Sequence, residues 1–317
     1  MRIDSENNRI LVRQSWIGDA LLCAQRAKYA MTYTDLRTGS DATAIGTGIH
    51  ASIEKYLNGE IPDAESFHRN IREEVGYELA KDIKLTKISN NPDIMWKQIE
   101  SMATAWWDDI RPSVLLGGVT EYKFKAPLGI YADNGMEIWL EGTIDYVSPD
   151  GTLWDWKTAG RAYGLREKHE QSHQATCYIT ALRALDIIPD GDEPSLFRFG
   201  VMIRQSSPKA QILTVSRDKG QTEFLRRQIK SILDTAIKSW DSADWVINDQ
   251  HFLCTQTWCD YWTMCKGAHW TDEACQAPSQ IVTPVTVTIT ELAKFRDTLE
   301  EVSSKRIDNN TNRIGTI

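Results

Sequence analysis

The segment from Glu137 to Lys157, EIWLEGTIDYVSPDGTLWDWK, restricts the possible folds more than any other part of the chain. Two runs rich in β-branched and aromatic residues flank Ser148-Pro149-Asp150-Gly151, where proline presets φ for a turn and glycine accepts φ > 0 after it. The pattern predicts a β-hairpin. With Gly151 as the bulge residue that follows a type I turn, Ser148 pairs with Thr152, and the same register sets Asp145 opposite Asp155. Residues two apart on a strand share a face, so Asp155 and Lys157 point the same way with Asp145 beside them. Two carboxylates and an ammonium then meet in mid-sheet, where charge is costly unless it is compensated. A divalent cation is the natural compensator, since hard cations take carboxylate oxygens. Without the bulge the register slips by one residue and Asp145 faces away.

Around this hairpin the periodicity predicts an α/β chain. Residues 15–34 read as one helix with Ser15 as N-cap and Cys23 at its middle. Gly46-Thr47-Gly48-Ile49-His50 opens a second helix reaching Leu57, whose glycines allow close approach to other backbone and which sets His50 beside Glu54. Residues 63–83 and 92–110 read as helices, with Trp96, Met102, Trp106 and Trp107 as core bulk. Strand character runs from Val114 to Ala126 and includes Glu121. A helix over 167–185 carries Gln174 and Tyr178 on one face. Strands over 196–204 and 211–215 precede a helix over 218–240, with Phe224, Ile229 and Leu233 in its apolar stripe. A last helix is expected after the Thr288/Glu291 capping box.

Composition narrows the functional classes. No apolar run approaches the ~18 residues that span a membrane, and the N-terminus lacks the apolar stretch of a signal peptide, so a cytoplasmic protein without membrane association is expected. The net charge of −8 argues mildly against nucleic acid. Residues 158–240, however, hold 13 Lys/Arg against 9 Asp/Glu, so a basic face beside an acidic whole is compatible with DNA. No Gly-x-x-x-x-Gly-Lys-Ser/Thr motif supplies a nucleotide-driven motor. Cys254, Cys259 and Cys265 fall within twelve residues, interleaved with Trp and Tyr. In a reducing compartment such clustering points to a metal or cluster before disulfides.

The order Cys23, His50, Asp145, Asp155-Trp156-Lys157, Gln174-x-x-x-Tyr178 and then three clustered cysteines resembles the RecB-like exonuclease branch of the PD-(D/E)xK nuclease superfamily. More narrowly it is similar to the iron–sulfur members, which include the AddB nuclease domain and the CRISPR-associated RecB-like exonucleases. The resemblance covers Ser15 to Lys266. It implies a restriction-endonuclease-like central mixed sheet flanked by helices, with N-terminal helices and a C-terminal cysteine-rich cluster region. Residues 1–276 are then one nuclease domain, in which region 250–276 packs with the N-terminal helix, and 277–317 is a helical tail.

Carried across, the pattern makes His50, Asp145, Asp155 and the Trp156 carbonyl ligands of Mg²⁺ or Mn²⁺, the histidine favouring Mn²⁺. Lys157 becomes the catalytic lysine, with Gln174 and Tyr178 placing substrate or lysine and Glu121 near the site. Cys23, Cys254, Cys259 and Cys265 would hold a [4Fe–4S] cluster. The first cysteine gap is four residues where the family usually has two, which leaves zinc open, and Cys275 is an alternative to Cys23. The expected activity is metal-dependent exonuclease digestion of DNA, on single-stranded or free ends, in recombination, repair or phage DNA processing, alone or with a partner protein. The rival readings are an inactive relative that binds DNA or acts as a scaffold, and a zinc-ribbon interaction protein.

Overall fold

Strand segments rich in Ile, Val and Trp alternate with amphipathic helices, and the helices divide between the two faces of one sheet. The computed structural model describes residues 1–36, 39–241 and 245–269. Strands β1 (Arg2–Asp4) and β2 (Arg9–Arg13) lead into helices α1 (Gln14–Leu22) and α2 (Ala24–Thr32). Helices α3 (Asp41–Leu57), α4 (Ala64–Leu79) and α5 (Pro92–Ala105) precede β3 (Val119–Tyr131), β4 (Glu137–Val147) and β5 (Leu153–Ala159). Then come α6 (Leu165–Gln171), α7 (His173–Ala184), β6 (Ser195–Ile203), β7 (Ala210–Arg217) and α8 (Lys219–Lys238). The strands form a mixed sheet in the order β1-β2-β4-β5-β6-β7, with β3 on the other edge of β4.

Each face of the sheet buries its own core. On one side Trp16, Ile179, Leu182, Leu225, Ile229 and Leu233 from α1, α7 and α8 pack on Leu140, Phe197, Phe199 and Val201. On the other, Ile45, Ile49 and Ile53 of α3, with Phe67, Ile71 and Val75 of α4, pack near Tyr146, Trp154 and Trp156. The three isoleucines recur every fourth residue and are fully buried, which stabilises by roughly 2 kcal/mol each. Local signals fix the helix starts. Ser40 caps α3 by accepting the Thr43 N–H, Asn91 caps α5 ahead of Pro92, and Asp218 and Gln221 close a capping box on α8.

The hairpin forms as its sequence predicts. Ser148 N–H donates to the Thr152 carbonyl and Gly151 N–H to the Ser148 carbonyl, each at 2.9 Å. Gly151 takes φ +79°, and Tyr146 pairs with Trp154 and Val147 with Leu153. Asp150 closes the turn by accepting from the Thr152 N–H and hydroxyl.

Other boundaries differ from expectation. The helix expected over 15–34 is two helices, because Cys23 is extended (φ −161°, ψ 111°) rather than mid-helical. Backbone at the break is taken up from elsewhere: the Gln25 N–H donates to the Val246 carbonyl and Asn248 donates to the Leu22 carbonyl. Ser15 is not the N-cap, since α1 starts at Gln14 after an uncapped Arg13. A second break at Ser172 divides the helix expected over 167–185, and Ser172 caps α7. The 92–110 helix turns into a π-helical stretch at Trp106–Ile110. Strand β3 begins at Val119, not Val114, and β1 and β2 were not expected at all. Phe224 is 58% exposed and lies off the buried stripe of α8. Cys275, the tail 277–317 and the helix expected after Thr288 lie outside the described residues. No described helix is long and apolar enough to cross a membrane.

Helices α3 and α4 meet through Gly48, where a Cβ would come within 2.6 Å of the Val75 backbone nitrogen. Backbone cannot yield as a flexible side chain can. Gly48→Ala is expected to lower stability by about 1–3 kcal/mol by urea denaturation; an alanine variant as stable as the parent would show that the helix pair can separate without cost.

Candidate active site

Strand β4 changes partners along one edge. β3 occupies one edge over most of its length. On the other, β2 pairs in parallel from Glu137 to Glu141 and then turns away into α1, while β5 joins only at Tyr146 and Val147. Residues Gly142 to Asp145 therefore face a gap in the ladder. The register continues to set Asp145 opposite Asp155, but there a side chain replaces the backbone partner: Trp156 N–H donates to Asp145 Oδ2 at 2.8 Å. Strand β5 meanwhile stays paired with β6 through Ala159, which holds Asp155, Trp156 and Lys157 in place.

Groups from both helical layers enter this gap. From α3, His50 Nδ1 lies 3.5 Å from Asp145 Oδ2, and its ring reaches the Trp156 backbone. From α7, Gln174 Nε2 donates to Asp155 Oδ1 at 2.5 Å and sits 3.5 Å from the Tyr178 hydroxyl. Lys157 Nζ lies 2.5 Å from Asp155 Oδ2 and forms an ion pair with it. Asp145, Asp155, Trp156, Lys157, His50, Gln174 and Tyr178 thus lie together around the gap.

The electrostatics of the gap call for added positive charge. Burial and the adjacent Asp155 push the Asp145 carboxyl up to about 8. Burial pulls the His50 imidazole down to about 4, the nearby Lys157 adding to this against the pull of Asp155, so the ring is neutral and able to coordinate. Lys157 is held above its ordinary range because Asp155 and Asp145 outweigh its own burial. Two neighbouring carboxylates, a neutral imidazole and the Trp156 backbone form a donor set whose chemistry fits a hard divalent cation. Among the described residues no trio of His, Cys, Asp or Glu is yet drawn together at single-ion distances.

Glu121 lies opposite Asp145 in the β3–β4 register but leaves the ladder, with φ +45° in the left-handed region. Such strain in a non-glycine residue costs of order 1 kcal/mol or more and collects at functional sites. Crowding by protein and the nearby Glu54 raise its carboxyl above the ordinary range. The sequence paired Glu54 with His50 without giving it a role. Where β2 departs, a groove of about 550 Å³ opens, lined by Arg13, Ser15, Lys123, Lys125, Thr143 and Tyr178 among others. The basic run on α8, in contrast, is committed to ion pairs: Arg226 with Glu223, and Lys230 with Asp133 and Asp234.

The four cysteines of the second predicted constellation lie around one cavity, not at single-ion distances. Cys23, Cys254, Cys259 and Cys265 line one small cavity with Tyr29, Tyr261 and Trp262. The helix break at Cys23 accompanies this arrangement, since the chain around Val246 that bonds to it leads on to the other three thiols. Burial raises the Cys254 and Cys265 thiols, and the neighbouring thiols raise them further.

Comparison with known proteins gives one assignment of family. The sequence model of the PD-(D/E)XK nuclease superfamily matches residues 22–266. Among curated proteins none matches the sequence. Two solved structures are similar at low identity. One is a candidate exonuclease from Eubacterium rectale, with a TM-score of 0.48 and 14% identity, covering 80% of this chain and 92% of that one. The other is SSO0001, with a TM-score of 0.39 and 12% identity, covering 85% and 90%.

The Asp145 carboxyl titrates above the ordinary aspartate value of 3.8, so the proton favours the folded state. The contribution to stability is complete below that value and is lost as pH rises towards 8. Asp145→Asn stays neutral and can still accept the Trp156 N–H. In metal-free buffer this variant is expected to be about 1–3 kcal/mol more stable than the parent near pH ~8.5, with the difference vanishing near pH ~4. Denaturant titrations at the two pH values check this; a pH-independent difference would refute the buried-carboxyl account.

Proposed function

The chain belongs to the PD-(D/E)XK nuclease superfamily, and from that premise we propose that it is a Mg²⁺- or Mn²⁺-dependent deoxyribonuclease that digests DNA from free ends, with a preference for single strands. The convergence of Asp145, Asp155, Lys157 and neutral His50 at the gap between β4 and β5 carries this reading. Asp145, Asp155, His50 and the Trp156 carbonyl are the ligands. When bound, the divalent cation lowers the pKa of water and offsets charge on the phosphoryl oxygens.

The side chains do the rest. Lys157 aims the attacking water and stabilises negative charge as it develops on the phosphoryl group. Gln174 fixes the rotamer of Asp155, leaving Oδ2 for the cation and Lys157. Tyr178 supports Gln174 and forms one wall of the groove, where Lys123 and Lys125 offer positive charge to the phosphates leading to Asp145, while Arg13 is paired with Glu141. Glu121, on the strained turn of β3, borders the same site.

Cys23, Cys254, Cys259 and Cys265 are proposed to hold a [4Fe–4S] cluster, with zinc as the alternative; four thiols lining one cavity support this. Such a group ties the start of the domain to its end and closes a long loop, stabilising by roughly a few kcal/mol. The biological setting we propose is recombination, repair or phage DNA processing in the cytoplasm, alone or with a partner protein.

Lys157→Ala and Asp155→Ala are each expected to lower cleavage of end-labelled single-stranded DNA by about 10²–10³-fold or more, with the fold retained by circular dichroism. Undiminished cleavage by purified Lys157→Ala would remove the assignment, and digestion of circular DNA as fast as linear would remove the requirement for ends. Cys259→Ser should cost a few kcal/mol of stability, order of magnitude, and alter bound iron or zinc measured by elemental analysis. A variant as stable as the parent and equally metallated would refute the cysteine site.

A further inference from the structure

Helix α6 is a short polar segment between the catalytic strand β5 and helix α7. Six of its seven residues, Leu165–Gln171, are exposed, and Lys168 alone turns inward. Its Nζ lies 4.1 Å from the centroid of the Tyr163 ring and 5.6 Å from that of Phe199. Phe199 is the register partner of Asp155 in the parallel β5–β6 ladder. The Lys168 ammonium therefore stands on the catalytic side of the sheet, next to Asp155 and Lys157.

No carboxylate among the described residues pairs with it directly. Lys168 makes no ion pair among the described residues, and Asp155 is already engaged by Lys157 and Gln174. Burial and the Lys157 ammonium work against its charge and outweigh the pull of Glu167 and Asp155. A lysine on an exposed helix can ordinarily swing into water, where its charge is best solvated. Here it is instead held over an aromatic ring. Tyr163 itself is fixed by a pair of backbone bonds with the Gln211 side chain, at 3.0 and 2.9 Å. A rigid aromatic platform that steadies an unpaired ammonium beside a second ammonium is an anion site in waiting.

We propose that Lys168, steadied over Tyr163, binds a phosphate of the substrate strand beside the catalytic centre. The inference rests on the nuclease reading. It adds a phosphate contact on the α6 side of Lys157, distinct from the groove on the β2 side, so that the strand is gripped on both sides of the site of cleavage. Phosphate rather than a carboxylate or a free nucleobase is the fitting ligand. The site offers positive charge without the fork of donors that a planar carboxylate prefers, and a lysine serves phosphate as a point charge.

The test uses the full chain, a labelled single-stranded oligonucleotide and EDTA, with binding followed over a range of salt concentrations. Lys168→Gln should weaken binding several-fold and flatten the slope of log K against log salt by about 0.7, the value for one lost phosphate contact on a single strand. Lys168→Arg should keep the slope, Tyr163→Phe should match the parent, and Tyr163→Leu should fall towards Lys168→Gln. In cleavage, Lys168→Gln should raise KM with a much smaller effect on kcat. A parent that binds and cleaves while Lys168→Gln keeps its slope overturns this inference alone. Weaker binding with an unchanged slope also overturns it, since a structural loss would behave that way. A parent that neither binds nor cleaves DNA overturns the nuclease reading as well.

Discussion

The hydrogen bond from the Trp156 amide to the Asp145 carboxylate stands where a backbone ladder bond belongs, and the organisation of the site follows from it. Strand β4 loses β2 at Glu141 and gains β5 only at Tyr146. The intervening edge would leave backbone groups unpaired, which is costly inside a sheet. Asp145 satisfies one of them with a side chain and is thereby drawn into the space between the strands. The same opening admits an imidazole from one layer and an amide from the other, which a continuous ladder would keep apart.

That opening concentrates charge. Asp145 and Asp155 repel one another, Lys157 compensates only one of them directly, and His50 is kept neutral by burial. The metal-free site is thus an unfavourable arrangement maintained by the packing around it. Trp154 and Trp156 stack at 5.3 Å, and Trp156 meets Trp106 edge-on at 5.9 Å, which fixes the strand carrying Asp155. Gly48 lets α3 settle against α4 closely enough to deliver His50. Stability spent on holding like charges together would be recovered on binding a cation, which would link metal affinity to folding at this position.

The cysteine cavity solves a different problem. The first helices and the segment after α8 are far apart in sequence, and both lie at the margin of the same domain. The break at Cys23 lets Gln25 bond to Val246 and Trp245, so polar contacts already join the two ends. Cys23, Cys254, Cys259 and Cys265 line a cavity at that seam.

The sequence by itself determined the turn and the chemistry placed around it. Pro149 and Gly151 fixed the hairpin register, and that register alone put Asp145 across from Asp155, because a strand has a strict period of two. Apolar residues at helical spacing and the cluster of cysteines were legible for the same reason: each is a local rule. Tertiary structure decided what no local rule contains. Arg9–Arg13 became a strand only because β4 offers it a parallel edge, and Cys23 left its helix because Val246 and Asn248 claim the backbone there. The gap in the ladder, the left-handed turn at Glu121 and the inward rotation of Lys168 are likewise set by non-local partners. A lysine in a polar helix carries no mark in the sequence of which way it will face; the ring of Tyr163, held by Gln211 from a distant strand, makes that choice.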